Sequence, residues 1–520
     1  MACWTLVWIV TNIMSDNFFS LIEAAHRCYP DRVIIETEDG SQYRGRDLMA
    51  SSGRYATVLA QLGVGRGDRV VVQAEKSVQS LFFYLGCLRA GVVYVPLNTA
   101  YRLGELTYFL GDARPKLVIG PPQSKEDMES LTDATVLTLN EKGEGSLLDA
   151  LATVSSEAPV VAVAANDIAV IIYTSGTTGR SKGAMITHRN LSSNARILVD
   201  YWAFSDRDVL LHALPIFHIH GLFVATHTAL VSGAKILWQR KFDPKTVIAE
   251  LSRCSVLMGV PTFYTRLLAE PSFTRDAVRN MRLFISGSAP LLLDTFSEFE
   301  ARTGQRILER YGMSEAGMIT SNPLQGVRVG GTVGLPLPGN DVRIADDQDH
   351  PLPGGKAGGI QIKGENVFAG YWQMPDKTKE EFTADGWFKT GDVGVFDEAG
   401  YLSIIGRAKD LIISGGYNVY PKEIELVLDA LPGVLESAVI GVPHPDFGEA
   451  VIAVLVLLKG AQLSEQDVVA QMKVQLANYK IPKRVHFVAE LPRNAMGKVQ
   501  KNILREEFLR ISHVVNKATS

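Results

Sequence analysis

Cysteine is scarce in this sequence, which also lacks a long apolar run and a strong excess of one charge. Only four of the 520 residues are cysteine and no two form a C-x-x-C pair, so the sequence predicts neither a disulfide framework nor a zinc site. The apolar stretch Trp4–Val10 is too short to cross a bilayer. A net charge of −4 argues against bulk binding to nucleic acid or an anionic membrane. We therefore expect a cytoplasmic protein that binds no nucleic acid and has no stable membrane association.

Two widespread catalytic signatures are absent or misplaced. The Walker pattern G-x-x-x-x-G-K-[ST] occurs nowhere in the chain. The segment Gly179–Gly183 matches the hydrolase pattern G-x-S-x-G, which requires a strand directly before the serine. Here a polar loop intervenes, so the sequence disfavours both a P-loop and an esterase.

The chain is long enough for more than one domain, and short apolar strands alternate with helical segments. This alternation predicts an α/β fold with a large N-terminal domain of layered α/β subdomains. The Pro/Gly-rich, strand-rich stretch Val333–Leu402 predicts a β-barrel-like subdomain, and the chain from Lys409 onward predicts a small, mobile α+β domain. We place the domains at 15–408 and 409–520, and expect residues 1–14 to be a disordered extension upstream of a start at Met14.

One stretch concentrates residues that suit phosphate binding. A buried apolar run, Ile168–Ile172, leads into Tyr173–Gly183, which has three glycines, six hydroxyl side chains and two cations in eleven residues. Small residues let the backbone offer N–H groups to an anion, and the hydroxyls and cations can bind phosphate oxygens. The pattern predicts a polyphosphate-binding loop rather than its alternative, a polar surface hairpin.

A histidine pair follows the predicted strand Val209–Pro215. The pair is His218-Ile219-His220, and an H-x-H pair without an acidic third ligand nearby is a weak metal signal. We therefore predict no metal site at these histidines. A packed core histidine stays an alternative for His218.

The phosphate loop resembles the signature of the adenylate-forming superfamily, which contains acyl-CoA synthetases, adenylation domains of peptide synthetases and firefly luciferases. The resemblance extends from about Phe18 to Leu509. Further motifs follow in the expected order: Glu309–Glu315, Trp387–Asp392, Gly406–Asn418 and Leu491–Lys498. Within the superfamily, the chain is most similar to bacterial malonyl-CoA synthetases.

The resemblance implies roles for individual residues. Lys498 is expected to be the catalytic lysine of adenylation, His218 a gate beside the acyl group, and Thr177 and Glu315 the residues that hold Mg²⁺. A carboxylate facing a polyphosphate is sensible only with a hard cation between them. The small domain is expected to pivot at Lys409 between the two half-reactions. The residues implied to contact ATP or coenzyme A are Thr174, Ser175, Gly176, Thr178, Gly179, Lys182, Ser288, Ala289, Glu309, Arg310, Tyr311, Gly312, Met313, Ser314, Asp392, Arg407, Lys409, Ser414, Gly415 and Gly416.

The resemblance also implies an acyl pocket. Arg266 stands where malonyl-CoA synthetases carry the arginine that binds the remote carboxylate, a role that guanidinium fills better than ammonium because it binds carboxylate through two hydrogen bonds. The chain departs from the family pattern at Ile219, where threonine is usual, and at Ala316-Gly317, where Thr-Asn is usual. Because of these departures, the sequence does not specify which substituent the acid carries at C2. The residues implied to line the pocket are His218, Ile219, Arg266, Ser288 and Met313.

The implied activity is an ATP- and CoA-dependent ligase that forms malonyl-CoA through malonyl-AMP and releases AMP and pyrophosphate. Methylmalonate or another short carboxylic acid stays open as the substrate. A stand-alone adenylation enzyme that loads a carrier protein and a non-catalytic binding protein on the same fold are the rival classes. A protein acetyltransferase acting on Lys498 is a candidate partner.

Overall fold

The computed structural model describes residues 16–152, 154–174, 181–407, 410–414, 417–444, 448–476, 478–494 and 497–518. The predicted extension 1–14 lies outside them. The chain divides into two compact units, one formed by Met1–Asp341 and Ile362–Phe388 and the other by Val342–Gln361 and Lys389–Ser520. The domain boundary between residues 408 and 409 stays a prediction. Within the described residues, no helix is long and apolar enough to cross a membrane.

Short strands, most of them fully buried, dominate the first unit. They are β1 (Val33–Thr37), β2 (Gln42–Arg44), β3 (Arg69–Val72), β4 (Val93–Pro96), β5 (Leu117–Gly120), β6 (Thr135–Thr138), β7 (Ile168–Thr174), β8 (Lys182–Thr187), β9 (Val209–His212), β10 (Lys235–Trp238), β11 (Val256–Gly259), β12 (Leu283–Ser286), β13 (Leu308–Met313), β14 (Gly317–Ser321) and β15 (Leu335–Pro336). Apolar side chains on both faces of these strands are typical of parallel sheets covered by helices on each side.

Helices connect these strands and cover the sheets. They are α1 (Phe19–Arg27), α2 (Gly45–Gln61), α3 (Val78–Arg89), α4 (Leu103–Ala113), α5 (Lys125–Glu129), α6 (Ser146–Asp149), α7 (His188–Tyr201), α8 (Thr228–Ser232), α9 (Pro244–Glu250), α10 (Pro261–Leu268), α11 (Leu293–Thr303) and α12 (Pro375–Glu380). Helix α3 begins where the Ser77 side chain accepts a 3.1 Å hydrogen bond from the Ser80 backbone N–H. Its residues are buried almost without interruption, because it packs between layers of the fold.

Two sheets form the first unit. The six-stranded sheet has the order β6-β5-β3-β4-β7-β8, with parallel pairing except between β7 and β8. The nine-stranded sheet has the order β15-β14-β13-β12-β11-β9-β10-β1-β2, and its inner strands from β13 to β1 are parallel. Parallel strands place all their carboxyl ends at one edge, where α/β proteins bind ligands.

The second unit is smaller and contains its own hydrophobic core. Its strands are β16 (Asn340–Ala345), β17 (Gly358–Gly364), β18 (Phe388–Phe396), β19 (Leu402–Arg407), β20 (Ile412–Ser414), β21 (Tyr417–Val419), β22 (Val434–His444), β23 (Gly448–Leu457) and β24 (Arg484–Phe487). Its helices are α13 (Pro421–Asp429), α14 (Glu465–Gln475) and α15 (Lys501–Ala518). The first four strands form one sheet in chain order, and the other five form a second sheet of order β21-β20-β23-β22, with β24 beside β23.

The α/β fold class predicted from the alternation is confirmed, with a large unit of layered sheets and a smaller unit after it. The stretch predicted to be strand-rich forms the four-stranded sheet of β16 to β19. One segment differs from expectation. The predicted strand Val209–Pro215 ends at His212, and His220–His227 form a π-helix. Apolar periodicity does not reveal this winding, which proteins use in short pieces and often at functional sites.

Candidate active site

Several of the predicted site residues of the first unit lie at the carboxyl ends of parallel strands. Thr174 ends β7, and Met313 ends β13. His218 follows β9, and Ser288 follows β12. The order of the parallel strands β13, β12, β11 and β9 in one sheet brings residues that are distant in sequence to the same edge. The fold therefore assembles the site at the place where α/β sheets bind ligands.

Glu315 is the buried acid of this edge. Its Oε1 accepts hydrogen bonds from Thr174 Oγ1 at 3.2 Å and from the Tyr371 hydroxyl at 3.1 Å. Tyr371 is positioned by a bridge to Ala184 on β8, the strand that follows the phosphate loop. Burial raises the pKa of the Glu315 carboxyl above its usual value, and the two hydrogen bonds only partly offset this effect.

The donor set around Glu315 fits a magnesium ion bound together with phosphate. Both of these side-chain hydrogen bonds reach the same carboxylate oxygen, Oε1. Magnesium is commonly held by one or two carboxylates and completes its shell with water and substrate phosphates. No group of three or more His, Cys, Asp or Glu residues forms a closed metal cage in the described chain. A single buried carboxylate beside a phosphate loop is therefore the arrangement expected for a shared cation.

Lys182 lies beside the same acid. Its Nζ forms a 3.3 Å ion pair with Glu381 Oε1 and lies 4.1 Å from the centre of the Tyr371 ring. The side chain is buried, so the ion pair and the aromatic face hold the ammonium group in place. Its predicted contact with the nucleotide stays a prediction.

Two of the predicted acyl-pocket residues, His218 and Ile219, directly precede the π-helix. His218 is half-buried, and its Nδ1 accepts a 3.3 Å hydrogen bond from the backbone N–H of His220. Ile219 is buried. His220 Nδ1 lies 3.2 Å from the Ser288 hydroxyl, and Ser288 adopts a φ of 72°, a left-handed conformation that is costly for a residue with a Cβ. This contact joins the π-helix to the turn after β12.

A buried network that the sequence did not reveal fixes the start of the π-helix. Lys76 Nζ lies 2.8 Å from His212 Nδ1 and donates to the backbone carbonyls of His212 and Gln239 at 2.8 and 2.6 Å. His212 Nε2 in turn lies 2.9 Å from the Gly221 carbonyl and 3.0 Å from Thr226 Oγ1. Burial lowers the pKa of Lys76 well below its usual value, because enclosing the charged form of the amine is costly.

Gly221 lies in the π-helix at a position that is packed closely against Pro215. A Cβ at this position would lie 2.0 Å from the Pro215 carbonyl oxygen, a contact that no side chain can make. Gly221→Ala should therefore lower stability by about 1–3 kcal/mol through overpacking, measured as a lower melting temperature, and should reduce activity. Gly111→Ala is the matched control, since Gly111 lies in α4 with nothing within 4 Å of a Cβ, and it should not lower the melting temperature. Equal melting temperatures for both variants would contradict this packing argument.

Arg310 has an unusual environment on β13. The side chain is buried, and its Nε and Nη2 have no hydrogen-bond partner among the residues that the structure describes. The guanidinium lies against Gly287, where a Cβ would stand 2.5 Å from its Cζ. Burial lowers the pKa of Arg310 to about 9. The neighbouring Glu309 faces elsewhere, with Oε1 accepting a 3.3 Å hydrogen bond from the Gly331 backbone.

Arg266 lies in a different environment. It is the sixth residue of α10, and its side chain is exposed. No hydrogen bond or ion pair joins its guanidinium to another residue in the described part of the chain. Its predicted contact with a remote carboxylate stays a prediction.

The second unit contains the remaining predicted residues. Asp392 is buried on β18, and its Oδ1 forms a 3.0 Å ion pair with Arg407 Nε across the β18–β19 ladder. Ser414 is buried at the end of β20. Lys498 lies on a turn in which its backbone N–H donates to Asn494 Oδ1 at 3.0 Å. Asp392 and Arg407, both predicted to contact ATP or coenzyme A, thus contact each other directly.

Part of the predicted site lies outside the described residues. This holds for most of the phosphate loop, for the pivot residue and for the glycine pair. The residues concerned are Ser175, Gly176, Thr177, Thr178, Gly179, Lys409, Gly415 and Gly416. Their predicted roles stay predictions. Ala289, Tyr311, Gly312 and Ser314 are described, on the β12–α11 turn and along the β13–β14 hairpin.

Two family models match the chain. The AMP-binding enzyme model covers residues 22–372, and the AMP-binding enzyme C-terminal domain model covers residues 423–498. The solved structure of ATP-bound MatB from Rhodopseudomonas palustris is 53% identical, with a TM-score of 0.93 over 95% of this chain and 99% of that chain.

The chain belongs to the AMP-binding enzyme family.

Curated relatives agree on the reaction type and differ in the acid. A malonate–CoA ligase from Arabidopsis thaliana is 34% identical over 94% of this chain and 87% of its own length. A feruloyl-CoA synthase from an Amycolatopsis species is 36% identical over 89% of this chain and 93% of its own length. The predicted enzyme class is confirmed: this family member is an AMP-forming acyl-CoA synthetase, and its cofactors are ATP, Mg²⁺ and coenzyme A.

Several residues of the synthetase's site escaped prediction. Tyr371 and Glu381 lie outside the motifs on which the prediction rested, and the sequence offered no signal for their contacts with Glu315 and Lys182. His220 was considered only as half of a weak metal pair. An acetyltransferase acting on Lys498 and a cytoplasmic location stay predictions.

Proposed function

We propose that this acyl-CoA synthetase joins malonate to coenzyme A through a malonyl-AMP intermediate, with release of AMP and pyrophosphate. The buried Glu315 carboxylate, held by Thr174 and Tyr371 beside the phosphate loop, is the observation that supports the activation step. The choice of malonate is supported by the likeness to a malonate–CoA ligase over 94% of the chain. The likeness to a feruloyl-CoA synthase keeps another carboxylic acid as the alternative.

The chain's own residues contribute binding, orientation and charge to this reaction. Mg²⁺, when bound, would neutralise the phosphate charge next to Glu315. The Asp392 carboxylate can accept hydrogen bonds from ribose hydroxyls while Arg407 keeps it oriented. Lys498 supplies the positive charge that offsets negative charge building on the phosphoryl oxygens during attack by the acid. Positioning and electrostatic stabilisation of this kind need no covalent intermediate on the protein.

A panel of short acids tests the proposal. The purified enzyme is supplied with ATP, Mg²⁺, coenzyme A and one acid at a time: malonate, methylmalonate, acetate, butanoate, succinate or ferulate. AMP release and the mass of the CoA thioester are measured. We expect the highest kcat/KM with malonate. AMP release without any CoA thioester would favour loading of a carrier protein, and a preference for an acid without a second carboxylate would overturn the choice of malonate.

Arg266→Ala is expected to reduce kcat/KM for malonate by about 100-fold, because a lost charge-assisted hydrogen-bonded pair is worth about 1.5–3 kcal/mol. Since Arg266 is exposed and has no protein partner among the described residues, the melting temperature should not change. Arg279→Gln is the control, because Arg279 is an exposed arginine whose ion pair is with the equally exposed Asp276. An unchanged kcat/KM for malonate in Arg266→Ala would remove this residue from the acyl pocket.

A further inference from the structure

The strongest unexplained feature of the first unit is a lysine that is buried together with a histidine. Lys76 and His212 are both buried, and Lys76 Nζ lies 2.8 Å from His212 Nδ1. Enclosing a charged group costs free energy, and apolar residues of similar volume are often at least as stable in its place. The Trp238 ring, whose centre lies 4.4 Å from Lys76 Nζ, offsets part of this cost. The pair therefore calls for a role in addition to stability.

The contacts of this pair need one proton more than the two neutral side chains carry. Lys76 Nζ donates to the backbone carbonyls of His212 and Gln239. His212 Nε2 must donate to the Gly221 carbonyl, because a carbonyl oxygen only accepts. The contact between Nζ and Nδ1 needs a proton as well. A neutral amine and a neutral imidazole supply only three N–H bonds for these four contacts, so the pair holds one positive charge.

This shared proton keeps His212 Nε2 a donor, whichever of the two side chains carries the charge. The Gly221 carbonyl accepts from Nε2 at 2.9 Å and from the Thr226 hydroxyl at 2.8 Å. Gly221 is also packed so closely that a Cβ would lie 2.0 Å from the Pro215 carbonyl oxygen. The backbone at the start of the π-helix is therefore held from two sides.

The held backbone continues directly into the predicted acyl pocket. The backbone N–H of Leu222, the residue after Gly221, donates to the His218 carbonyl at 3.0 Å. His218 and Ile219 are the two pocket residues that precede the π-helix. Displacing the Gly221 carbonyl would therefore displace both of them. Windings of this kind are often found at functional sites.

We propose that Lys76 and His212 are positioning residues, whose shared proton fixes the start of the π-helix and so holds His218 and Ile219 in place for the acid substrate. Their effect reaches the acid through the backbone of Gly221. The inference rests on the proposed function in taking a carboxylic acid as the substrate, and it does not depend on that acid being malonate.

The test replaces both members of the pair by apolar residues, in the double variant Lys76→Met, His212→Phe. This variant removes the donor to the Gly221 carbonyl. It should raise KM for the acid about 10-fold, which corresponds to about one lost hydrogen bond, and leave KM for ATP unchanged. Lys76→Met alone should give no larger increase, because the lysine acts through the histidine. Lys245→Met, at an exposed position of α9 in the same unit, is the control and should keep both wild-type KM values.

Two further measurements distinguish positioning from a structural role. The double variant contains neither the buried charge nor a partner left without it, so its melting temperature should be equal to or higher than that of the wild type. Hydrogen–deuterium exchange of the backbone amides of residues 216–227 should be faster than in the wild type, because the start of the π-helix has lost an anchoring donor. Lys245→Met should show the wild-type exchange.

Three outcomes would overturn the inference. The first is an unchanged KM for the acid in a double variant that is as stable as the wild type. The second is an equal rise of KM for the acid and for ATP together with a lower melting temperature, which indicates a general structural role. The third is unchanged hydrogen–deuterium exchange of residues 216–227.

The choice of acid separates this inference from the proposed function. KM is measured with the acid that gives the highest kcat/KM in the panel. If that acid is not malonate, the proposed function fails, and the same comparison of KM values still decides the inference. If the wild type forms malonyl-CoA and the double variant keeps its KM for malonate, the function stands and the inference fails. If no acid is turned over, the exchange of residues 216–227 decides the inference alone.

Discussion

Lys498→Ala should slow ATP–pyrophosphate exchange with malonate by about 1,000-fold, because it removes a cation that stabilises charge developing on the phosphoryl oxygens. The lysine lies on a turn that two hydrogen bonds with Asn494 close. The Asn494 backbone N–H donates to the Lys498 carbonyl at 2.9 Å, and the Lys498 backbone N–H donates to Asn494 Oδ1 at 3.0 Å. This backbone geometry does not depend on the lysine side chain, so the variant should fold normally.

The second half-reaction distinguishes a catalytic role of Lys498 from damage to the protein. When malonyl-AMP and coenzyme A are supplied, Lys498→Ala should form the thioester at a rate close to that of the wild type. Lys459→Ala, at an exposed loop position of the same unit, should leave both half-reactions unchanged. Pyrophosphate exchange at the wild-type rate in Lys498→Ala would exclude Lys498 from adenylation, and loss of both half-reactions would indicate misfolding.

Glu315→Gln should lower kcat by about 100-fold or more at millimolar Mg²⁺, since the amide keeps the shape of the side chain and loses the charge that a hard cation requires. Initial rates measured against Mg²⁺ concentration should show a much weaker dependence on the metal, with partial recovery at high concentration. Glu298→Gln, an exposed carboxylate on α11, is the control and should keep the wild-type Mg²⁺ dependence. Identical Mg²⁺ profiles for Glu315→Gln and the wild type would remove Glu315 from the metal site.

The same substitution has a predictable effect on stability. Burial raises the pKa of Glu315 in the folded state, so its ionised form destabilises the fold at pH values above that pKa. Glu315→Gln should therefore melt at an equal or higher temperature than the wild type at pH 8. This difference in melting temperature should disappear as the pH falls through the raised pKa, because the wild-type carboxyl is then neutral, like the amide of the variant. A lower melting temperature at pH 8 would show that the hydrogen bonds from Thr174 and Tyr371 outweigh the cost of burying the charge.

The fold was predictable where the signal was local. The apolar run Ile168–Ile172 became most of β7, and the strand predicted to begin at Val209 became β9. A buried strand can be predicted from its own residues, because the side chains on both of its faces are apolar. The π-helix His220–His227 gave no such signal, since its winding depends on the close approach of Gly221 to Pro215 and on the network from Lys76.

The candidate site was predictable as a set of motifs and not as a set of contacts. Thr174 and Glu315 were assigned to phosphate and metal from their motifs, and the structure joins them across 141 residues of sequence. Tyr371, which completes this contact, could not be found because no local pattern distinguishes it from any other tyrosine. The pairing of Asp392 with Arg407 follows from the register of β18 and β19, which the motifs alone did not specify.

By itself, the sequence determined the α/β alternation, the order of the motifs and membership of the AMP-binding enzyme family, because each is written in short stretches of neighbouring residues. Only the tertiary structure decided which cation lies in a closed environment. Arg266 and Arg310 carry the same guanidinium group, yet Arg266 is exposed on α10, whereas Arg310 is enclosed against Gly287 with its Nε and Nη2 unpaired among the described residues. The physical reason is that the burial of a side chain depends on elements that pack against it from distant parts of the chain. A charged group that is buried in this way needs a partner, because it has lost its contact with water.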